Sequence, residues 1–400
     1  MTMSQHQAAT FKEYTVANRL NGIGEYYFSQ KLRQIEQLRN EGKDIINLGI
    51  GSPDLPPHLS VIKELHDQSI KPNVHAYQGY KGSPVLRNAI SKWYSKWYGV
   101  NLDAEKEVLP LIGSKEGIMH ICMTYLNEGD LVLVPDPGYP TYKSAAKLAG
   151  ATVIEYSLKE ENEWLPDFQF LENQVKKAGD KKVLMFANYP QMPTGKAPTK
   201  KLFENLVSFA ANNQVLLVHD NPYSFILNDE PSSMLSIEGA KDWVIELNSL
   251  SKSHNLAGWR LGMLCGSEKN INNILRFKSN MDSGMFLPIQ MAAAKALELD
   301  KEWFDQLNKV YTDRREKVYK LLELLSCKYD KQQVGMFMWA RINNEYEDAY
   351  QLSDAILEKS NVFITPGGIF GPSGNNYIRI SLCSTEQRLE ESINRIKSTM

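Results

Sequence analysis

The chain of 400 residues has little cysteine, no long apolar run and almost no net charge. Its four cysteines are scattered without the spacing of a disulfide framework or a zinc site, as is typical of proteins from a reducing compartment. We therefore expect no bound metal and a cytoplasmic location. No stretch approaches the roughly 18 apolar residues of a membrane helix, and residues 1–15 lack the apolar core of a signal peptide.

The net charge and the composition limit the classes of partner and the number of lobes that we expect. A formal net charge of −2 argues against a general affinity for nucleic acid or for acidic membranes, so we expect small-molecule partners. With 42% hydrophobic residues, a chain of this length exceeds the size at which one core usually stops growing. Two lobes are therefore expected.

Short apolar runs alternate with helical patterns between about residues 107 and 266. This alternation predicts an α/β fold whose large domain has a mostly parallel seven-stranded sheet with helices on both faces. Ligands of such sheets collect at the carboxyl ends of the strands. The predicted strands are Val108 to Ile112, Leu131 to Val134, Thr152 to Leu158, Val183 to Phe186, Val215 to Val218, Val244 to Leu247 and Leu261 to Cys265.

The pattern changes after about residue 300, where one long amphipathic helix is predicted from Trp303 to Leu325. We expect a large domain at 61–300, a smaller α/β domain at 301–400 and an N-terminal segment, 1–60, that packs on the small domain. The strand candidates of the small domain are Met336 to Ile342, Val362 to Thr365 and Tyr377 to Leu382.

One strand end carries a lysine among residues suited to phosphate. Lys252 closes the run Ser249-Leu250-Ser251-Lys252, and Arg260 follows eight positions later. A lysine does covalent chemistry as a Schiff base with an aldehyde, and pyridoxal 5'-phosphate (PLP) offers an aldehyde together with a phosphate. Two hydroxyls and a guanidinium fork are good ligands for that phosphate. A lone lysine would more often be a surface residue in a polar loop.

A carboxylate emerges from another buried strand at Asp220. Burial would raise the pKa of this carboxyl unless a cation neutralises it. The protonated ring nitrogen of PLP is such a cation, and the pair keeps the ring an electron sink. Tyr223 can place its phenol against the ring oxygen. The alternatives are a helix N-cap for Asp220 and ordinary packing for Tyr223.

Two further strand ends suit the phosphate and the ring of the same cofactor. Ser114 and Lys115 follow a strand and open a helix, whose first N–H groups form a natural anion site. Tyr139 offers an aromatic face for stacking. Each signal is weak alone, because small residues begin many helices and a buried tyrosine is more often part of a core.

Together these features resemble the fold type I PLP enzymes, specifically the class I and II aminotransferase family, over nearly the whole chain. The most specific signature is Ser-x-Ser-Lys at 249–252 followed by Gly-x-Arg at 258–260, with Asp-x-x-Tyr at 220–223. The resemblance implies PLP as cofactor and ping-pong transfer of an amino group between an L-amino acid and a 2-oxo acid. Lys252 would form the Schiff base and serve as the base.

Other segments extend the resemblance to the substrate and to a second subunit. Residues 48–54, with Gly51, look like the family's N-terminal substrate loop, and Arg379 matches the arginine that binds the substrate α-carboxylate. Strand alternation points Arg379 away from its flanking isoleucines. Tyr77 matches the tyrosine that reaches the phosphate of the neighbouring subunit, which implies a homodimer with shared active sites.

Within the family, the motifs are most similar to LL-diaminopimelate aminotransferases and their alanine-using or methionine-using relatives. That similarity makes Tyr26 and Lys115 candidates for contact with the substrate. One position departs from the family pattern, since Met192 stands where relatives carry an asparagine that hydrogen-bonds the ring oxygen of PLP. Methionine has no donor to offer, so we expect an altered proton affinity of the Schiff base, with Tyr223 as the main partner.

Two other interpretations stay open. Lys252, Asp220 and Arg260 would equally serve carbon–sulfur lysis, decarboxylation or a synthase reaction on the same fold. A lyase would release ammonia without an acceptor, whereas an aminotransferase needs an acceptor oxo acid. The less favoured interpretation is a non-catalytic sensor, which would carry a basic DNA-binding module that this sequence does not display.

Overall fold

The structure is a computed structural model that describes residues 14–25 and 27–399. The strands of this part of the chain are β1 (Ile46–Asn47), β2 (Val108–Leu111), β3 (Leu131–Asp136), β4 (Thr152–Ser157), β5 (Val183–Asn188), β6 (Leu216–Asp220), β7 (Val244–Ser249), β8 (Gly262–Cys265), β9 (Lys328–Tyr329), β10 (Phe337–Arg341), β11 (Val362–Phe363), β12 (Thr365–Pro366) and β13 (Tyr377–Ser381). The α-helices are α1 (Tyr27–Asn40), α2 (Leu59–Ser69), α3 (Pro84–Tyr98), α4 (Ser114–Tyr125), α5 (Pro140–Leu148), α6 (Phe168–Ala178), α7 (Lys200–Asn213), α8 (Ala240–Trp243), α9 (Leu250–Ser253), α10 (Glu268–Lys278), α11 (Leu287–Leu297), α12 (Lys301–Leu324), α13 (Ala349–Ser360) and α14 (Glu386–Thr399).

The large sheet has seven strands in the order β2-β8-β7-β6-β5-β3-β4. Only β8 runs antiparallel to its neighbours, so the predicted mostly parallel seven-stranded sheet is confirmed. Strands β3, β5 and β7 are buried from end to end, and the apolar runs that begin β3 and β5 are typical of such strands. The parallel arrangement brings the carboxyl ends of the other six strands to one edge.

Helices cover both faces of this sheet. One core contains residues of α4, α5 and α10, and the other contains residues of α3, α7 and α11. Local chemistry begins these helices where the sequence allows. The Ser83 hydroxyl accepts from Leu86 N–H ahead of α3, which starts at Pro84, and Thr199 caps α7 in the same way. No helix in residues 14–25 or 27–399 has the length and the apolar character to cross a bilayer.

The C-terminal part forms an antiparallel sheet, β12-β13-β10-β9, packed with α12, α13 and α14. One predicted strand needs correction. Val362 to Thr365 is two short strands in different sheets, because the chain crosses at Ile364 from pairing with β1 to pairing with β13. Ile46 and Leu48 pack into the same core as the C-terminal sheet. The domain limits near residues 60 and 300 stay predictions.

Candidate active site

The carboxyl ends of the parallel strands line a cavity of about 350 Å³. One of the predicted site residues, Tyr77, does not line it in this chain. Tyr77 is 95% exposed on the segment before α3, and Tyr26 lies outside the described residues. The others all line the cavity: Gly51, Ser114, Lys115, Tyr139, Asp220, Tyr223, Ser249, Ser251, Lys252, Arg260 and Arg379.

Lys252 projects into the cavity from the short helix α9, whose first turn is capped by the Ser249 hydroxyl. Its Nζ donates to the carbonyl of Gly51 in the N-terminal loop. Desolvation in the cavity lowers the pKa of the Lys252 ammonium to about 8, and the nearby Arg379 charge acts in the same direction. A sizeable fraction of this amine is therefore neutral near pH 7.5, as covalent chemistry with a carbonyl requires.

Asp220 ends β6 inside the protein, and no helix follows it, so the alternative of an N-cap is wrong. Its Oδ2 accepts a hydrogen bond of 2.7 Å from the Tyr142 hydroxyl. Its Oδ1 is buried without a hydrogen-bond partner among the described residues. Desolvation raises the pKa of this carboxyl to about 6, although the Tyr142 bond opposes the shift. An unsatisfied buried carboxylate oxygen fits a cationic ring nitrogen.

The opposite end of the cavity is built for an anion. Helix α4 begins at Ser114, and its N-cap is Gly113, with φ of 80°. A side chain at Gly113 would be strained by this φ, and its Cβ would lie 2.2 Å from Nη2 of Arg260. Ser249 donates to Ser251 at 2.9 Å nearby. A helix N-terminus, two hydroxyls and a guanidinium therefore converge, as a phosphate site requires.

Two residues that the sequence analysis missed hold this site together. Tyr142 lies in the first turn of α5, three positions after Tyr139, and stacks on Phe186 with ring centroids 4.7 Å apart. Asn188 donates to the Asp220 carbonyl at 2.7 Å and accepts from Met192 N–H at 2.8 Å. The spacing of Tyr139 and Tyr142 is a usable signal for the first, because residues three apart share a helix face.

Arg379 is only 4% exposed, although it lines the cavity. Its guanidinium lies over two aromatic rings, 3.9 Å from the centroid of Phe337 and 4.6 Å from that of Phe370. Nη2 donates to the Gly49 carbonyl at 2.8 Å, and Nη1 lies 3.4 Å from the Met192 sulfur. The arginine is therefore held in place before any ligand arrives. Neither phenylalanine was expected from the sequence.

Gly51 is required by the same packing. A Cβ at this position would lie 2.2 Å from the ring of Phe337. Any side chain would therefore displace the ring that supports Arg379. The N-terminal loop can pass this close to Lys252 and Arg379 only with glycine.

A desolvated lysine, an unsatisfied carboxylate 32 positions before it and an anion site at a helix N-terminus define a PLP-dependent enzyme of fold type I. The family model "Aminotransferase class I and II" matches residues 43–396. The chain belongs to this family, and it is a PLP-dependent aminotransferase.

Curated relatives cover almost the full chain. The LL-diaminopimelate aminotransferase of Halothermothrix orenii is 37% identical over 385 residues, which are 96% of this chain and 98% of the relative. That of Dehalococcoides mccartyi is 39% identical over 383 residues, with coverage of 95% and 98%.

Solved structures agree on the fold. The substrate-bound BacF structure from Bacillus subtilis superimposes with a TM-score of 0.92 at 35% identity, covering 96% of this chain and 98% of that one. A mutant aspartate aminotransferase of Thermus thermophilus superimposes with a TM-score of 0.87 at 21% identity, covering 97% and 100%. The second likeness concerns the fold alone.

Proposed function

We propose that this enzyme transfers an amino group from an L-amino acid to a 2-oxo acid in a ping-pong reaction centred on Lys252. The observation that carries the proposal is the convergence of Lys252, Asp220 and Arg379 on one cavity. When bound, PLP supplies an aldehyde that condenses with amines and a protonated ring that withdraws electrons.

The chain's own residues would hold that cofactor by complementary chemistry. Asp220 Oδ1 would accept from the ring nitrogen, and Tyr223 would donate to the ring oxygen. Tyr139 would pack against the ring. The phosphate would be bound by the N-terminus of α4 and the side chains around it, namely Ser114, Lys115, Ser249, Ser251 and Arg260. These groups would neutralise the charge of a dianion.

Lys252 would move the proton during the reaction. Lys252 Nζ, whose pKa is lowered by desolvation in this site, would take the proton from the substrate Cα and release it later in the same half-reaction. Arg379 would bind the substrate α-carboxylate as a bidentate fork, and the backbone of Gly51 would border the same carboxylate. Fixing the carboxylate sets which bond of Cα faces Lys252.

A second copy of the chain would complete each site. Tyr77, Met281 and Phe286 are 95%, 52% and 42% exposed, and their segments are joined by the bridge between Gln78 and Gly284. Large apolar side chains clustered on one surface favour a protein partner. We propose a homodimer in which Tyr77 donates to the phosphate in the other subunit. Tyr77→Phe should weaken PLP retention in a protein that still sediments as a dimer.

The relatives' names make LL-diaminopimelate the first donor to test, with a role in amino acid biosynthesis. In that case Lys115 and Tyr26 are the proposed contacts to the substrate. We also propose a cytoplasmic location, because the four cysteines are free in the structure and three of them are buried.

The test is a half-reaction with the purified, PLP-loaded protein. An amino donor should bleach the visible band of bound PLP and yield one oxo acid per site, and a 2-oxo acid should restore the band. Release of ammonia without an acceptor would instead identify a lyase. If no amino acid changes the band, the proposed transamination is wrong.

A further inference from the structure

Away from the strand ends, the cavity is lined by four apolar side chains from outside the seven-stranded sheet: Leu32, Ile50, Phe337 and Phe370. Leu32 lies on α1 and Ile50 follows β1. Although both line the cavity, they are 40% and 36% exposed. Apolar surface at the mouth of a binding site gains free energy when a ligand covers it.

The charges in the cavity are one-sided. Among the described residues that line it, Asp220 is the sole carboxylate, and its Oδ2 is already bonded to Tyr142. The lining cations are Lys115, Lys252, Arg260 and Arg379. With Lys115 and Arg260 assigned to the phosphate of PLP and Arg379 to the α-carboxylate, a second ammonium group on the substrate would find no counter-charge among these described residues.

A second carboxylate on the substrate is also disfavoured. Arg379 is committed between two rings and is suited to the α-carboxylate. Lys115 stands in the first turn of α4, beside Ser114 at the anion end. A distal carboxylate placed against Leu32 and Ile50 would lose hydration, which is costly, although the Ser52 hydroxyl also lines the cavity.

Building on the proposed transamination, we infer that the amino donor carries an uncharged, apolar side chain, of the kind found in phenylalanine, leucine or methionine. This side chain packs against Leu32, Ile50, Phe337 and Phe370 while Arg379 binds its carboxylate. The enzyme then differs in substrate class from the relatives named for LL-diaminopimelate, whose substrate is charged at both ends.

Unreactive carboxylates test the inference without any transamination. Titration calorimetry on the PLP-loaded protein compares 3-phenylpropionate with glutarate, which share one carboxylate and differ at the far end. Burying a phenyl group predicts that 3-phenylpropionate binds at least about tenfold more tightly. Equal affinity, or tighter binding of glutarate, would overturn the inference.

The donors themselves separate this inference from the proposed function. L-phenylalanine should half-bleach the PLP band at a concentration at least about tenfold below that of LL-diaminopimelate, L-lysine or L-glutamate. Preference for a charged donor would contradict the apolar side chain and leave transamination intact. If no donor changes the PLP band, transamination is refuted. The relative affinities of 3-phenylpropionate and glutarate would still decide the class of side chain.

Substitutions test whether Leu32 and Ile50, at the mouth of the cavity, bind the apolar side chain. Ile50→Asp and Leu32→Asp should each reduce the preference for 3-phenylpropionate over glutarate. 3-Cyclohexylpropionate, a second carboxylate with an apolar far end, should lose affinity in the same two variants. The matched control is Ile62→Asp, because Ile62 is 39% exposed on α2 and does not line the cavity. Retention of the PLP band shows that each variant is folded. Unchanged apolar affinity in both mouth variants would rule out this surface as the side-chain site.

Discussion

Replacing Asp220 by asparagine should stabilise the PLP-free protein. Burial raises the pKa of this carboxyl from 3.8 to about 6, against the opposing bond from Tyr142. Because the folded-state pKa is the higher one, the folded protein keeps a proton that the unfolded chain releases between about pH 4 and pH 6. The destabilisation by Asp220 is therefore absent below about pH 4 and complete above about pH 6.

The size of the effect follows from that difference in pKa, which corresponds to about 3 kcal/mol of unfolding free energy above pH 6. An asparagine oxygen can still accept from Tyr142. Its amide nitrogen would replace the unpartnered Oδ1 and would cost about 1 kcal/mol, since it also lacks a partner. The expected net stabilisation is about 2 kcal/mol at pH 7.5 and none at pH 4.

Urea unfolding of the PLP-free wild type and Asp220→Asn, at one protein concentration, measures the effect. The urea midpoint of the variant should exceed that of the wild type at pH 7.5 and should not exceed it at pH 4. Added PLP should raise the wild-type midpoint more than that of the variant. Asp313→Asn on the exposed face of α12 is the control and should change little. A variant midpoint at or below the wild type at pH 7.5 would refute the reasoning.

Three further changes probe the same site. Lys252→Ala should abolish turnover and covalent attachment of PLP, and a variant that transaminates at the wild-type rate would disprove the role of Lys252. Met192→Asn places a hydrogen-bond donor near the ring oxygen and should shift the pH titration of the visible PLP band. An unchanged titration would show that Met192 does not alter the proton affinity of the Schiff base. Tyr142→Phe should lower the urea midpoint of the PLP-free protein at pH 7.5 by the equivalent of about 1–3 kcal/mol, because Asp220 Oδ2 loses the hydrogen bond that the Tyr142 hydroxyl donates. The comparison is Tyr156→Phe, whose hydroxyl bonds a neutral carbonyl and whose loss should cost about 1 kcal/mol with no dependence on pH.

The sequence was sufficient for the strands and their ends, because those depend on local patterns. Each predicted strand of the large sheet is present, and the polar residues after five of them face one cavity. Lys252 and Asp220 could be found because their chemistry is unusual at the end of an apolar run. The break at Ile364 could not be found, since it depends on which strands the chain meets on either side.

The surroundings of Arg379 were equally out of reach of the sequence. Phe337, Phe370 and Met192 lie 42, 9 and 187 positions away from it along the chain. Neither phenylalanine has a residue type or a spacing that marks it as part of a site, and the family pattern placed Met192 near the ring oxygen and not beside Arg379. Only the antiparallel pairing of β10 with β13 and the approach of the loop after β5 bring them together. Contacts of this kind arise from topology, so local sequence patterns could not predict which substrate side chain the site accepts.

The energetic cost of Asp220 also explains how the fold favours its cofactor. The neighbouring residue on β6, His219, lies opposite Glu246 on β7, with their side chains 2.8 Å apart, and its Nε2 donates to the Tyr189 carbonyl at 2.9 Å. This buried pair fixes the end of β6, so the strand cannot easily shift to carry Asp220 out to water. The protein therefore retains an unfavourable carboxylate until a cation reaches Oδ1. Binding of the protonated ring then removes the cost of about 3 kcal/mol that the buried carboxylate imposes. Cofactor affinity and fold stability are therefore thermodynamically linked.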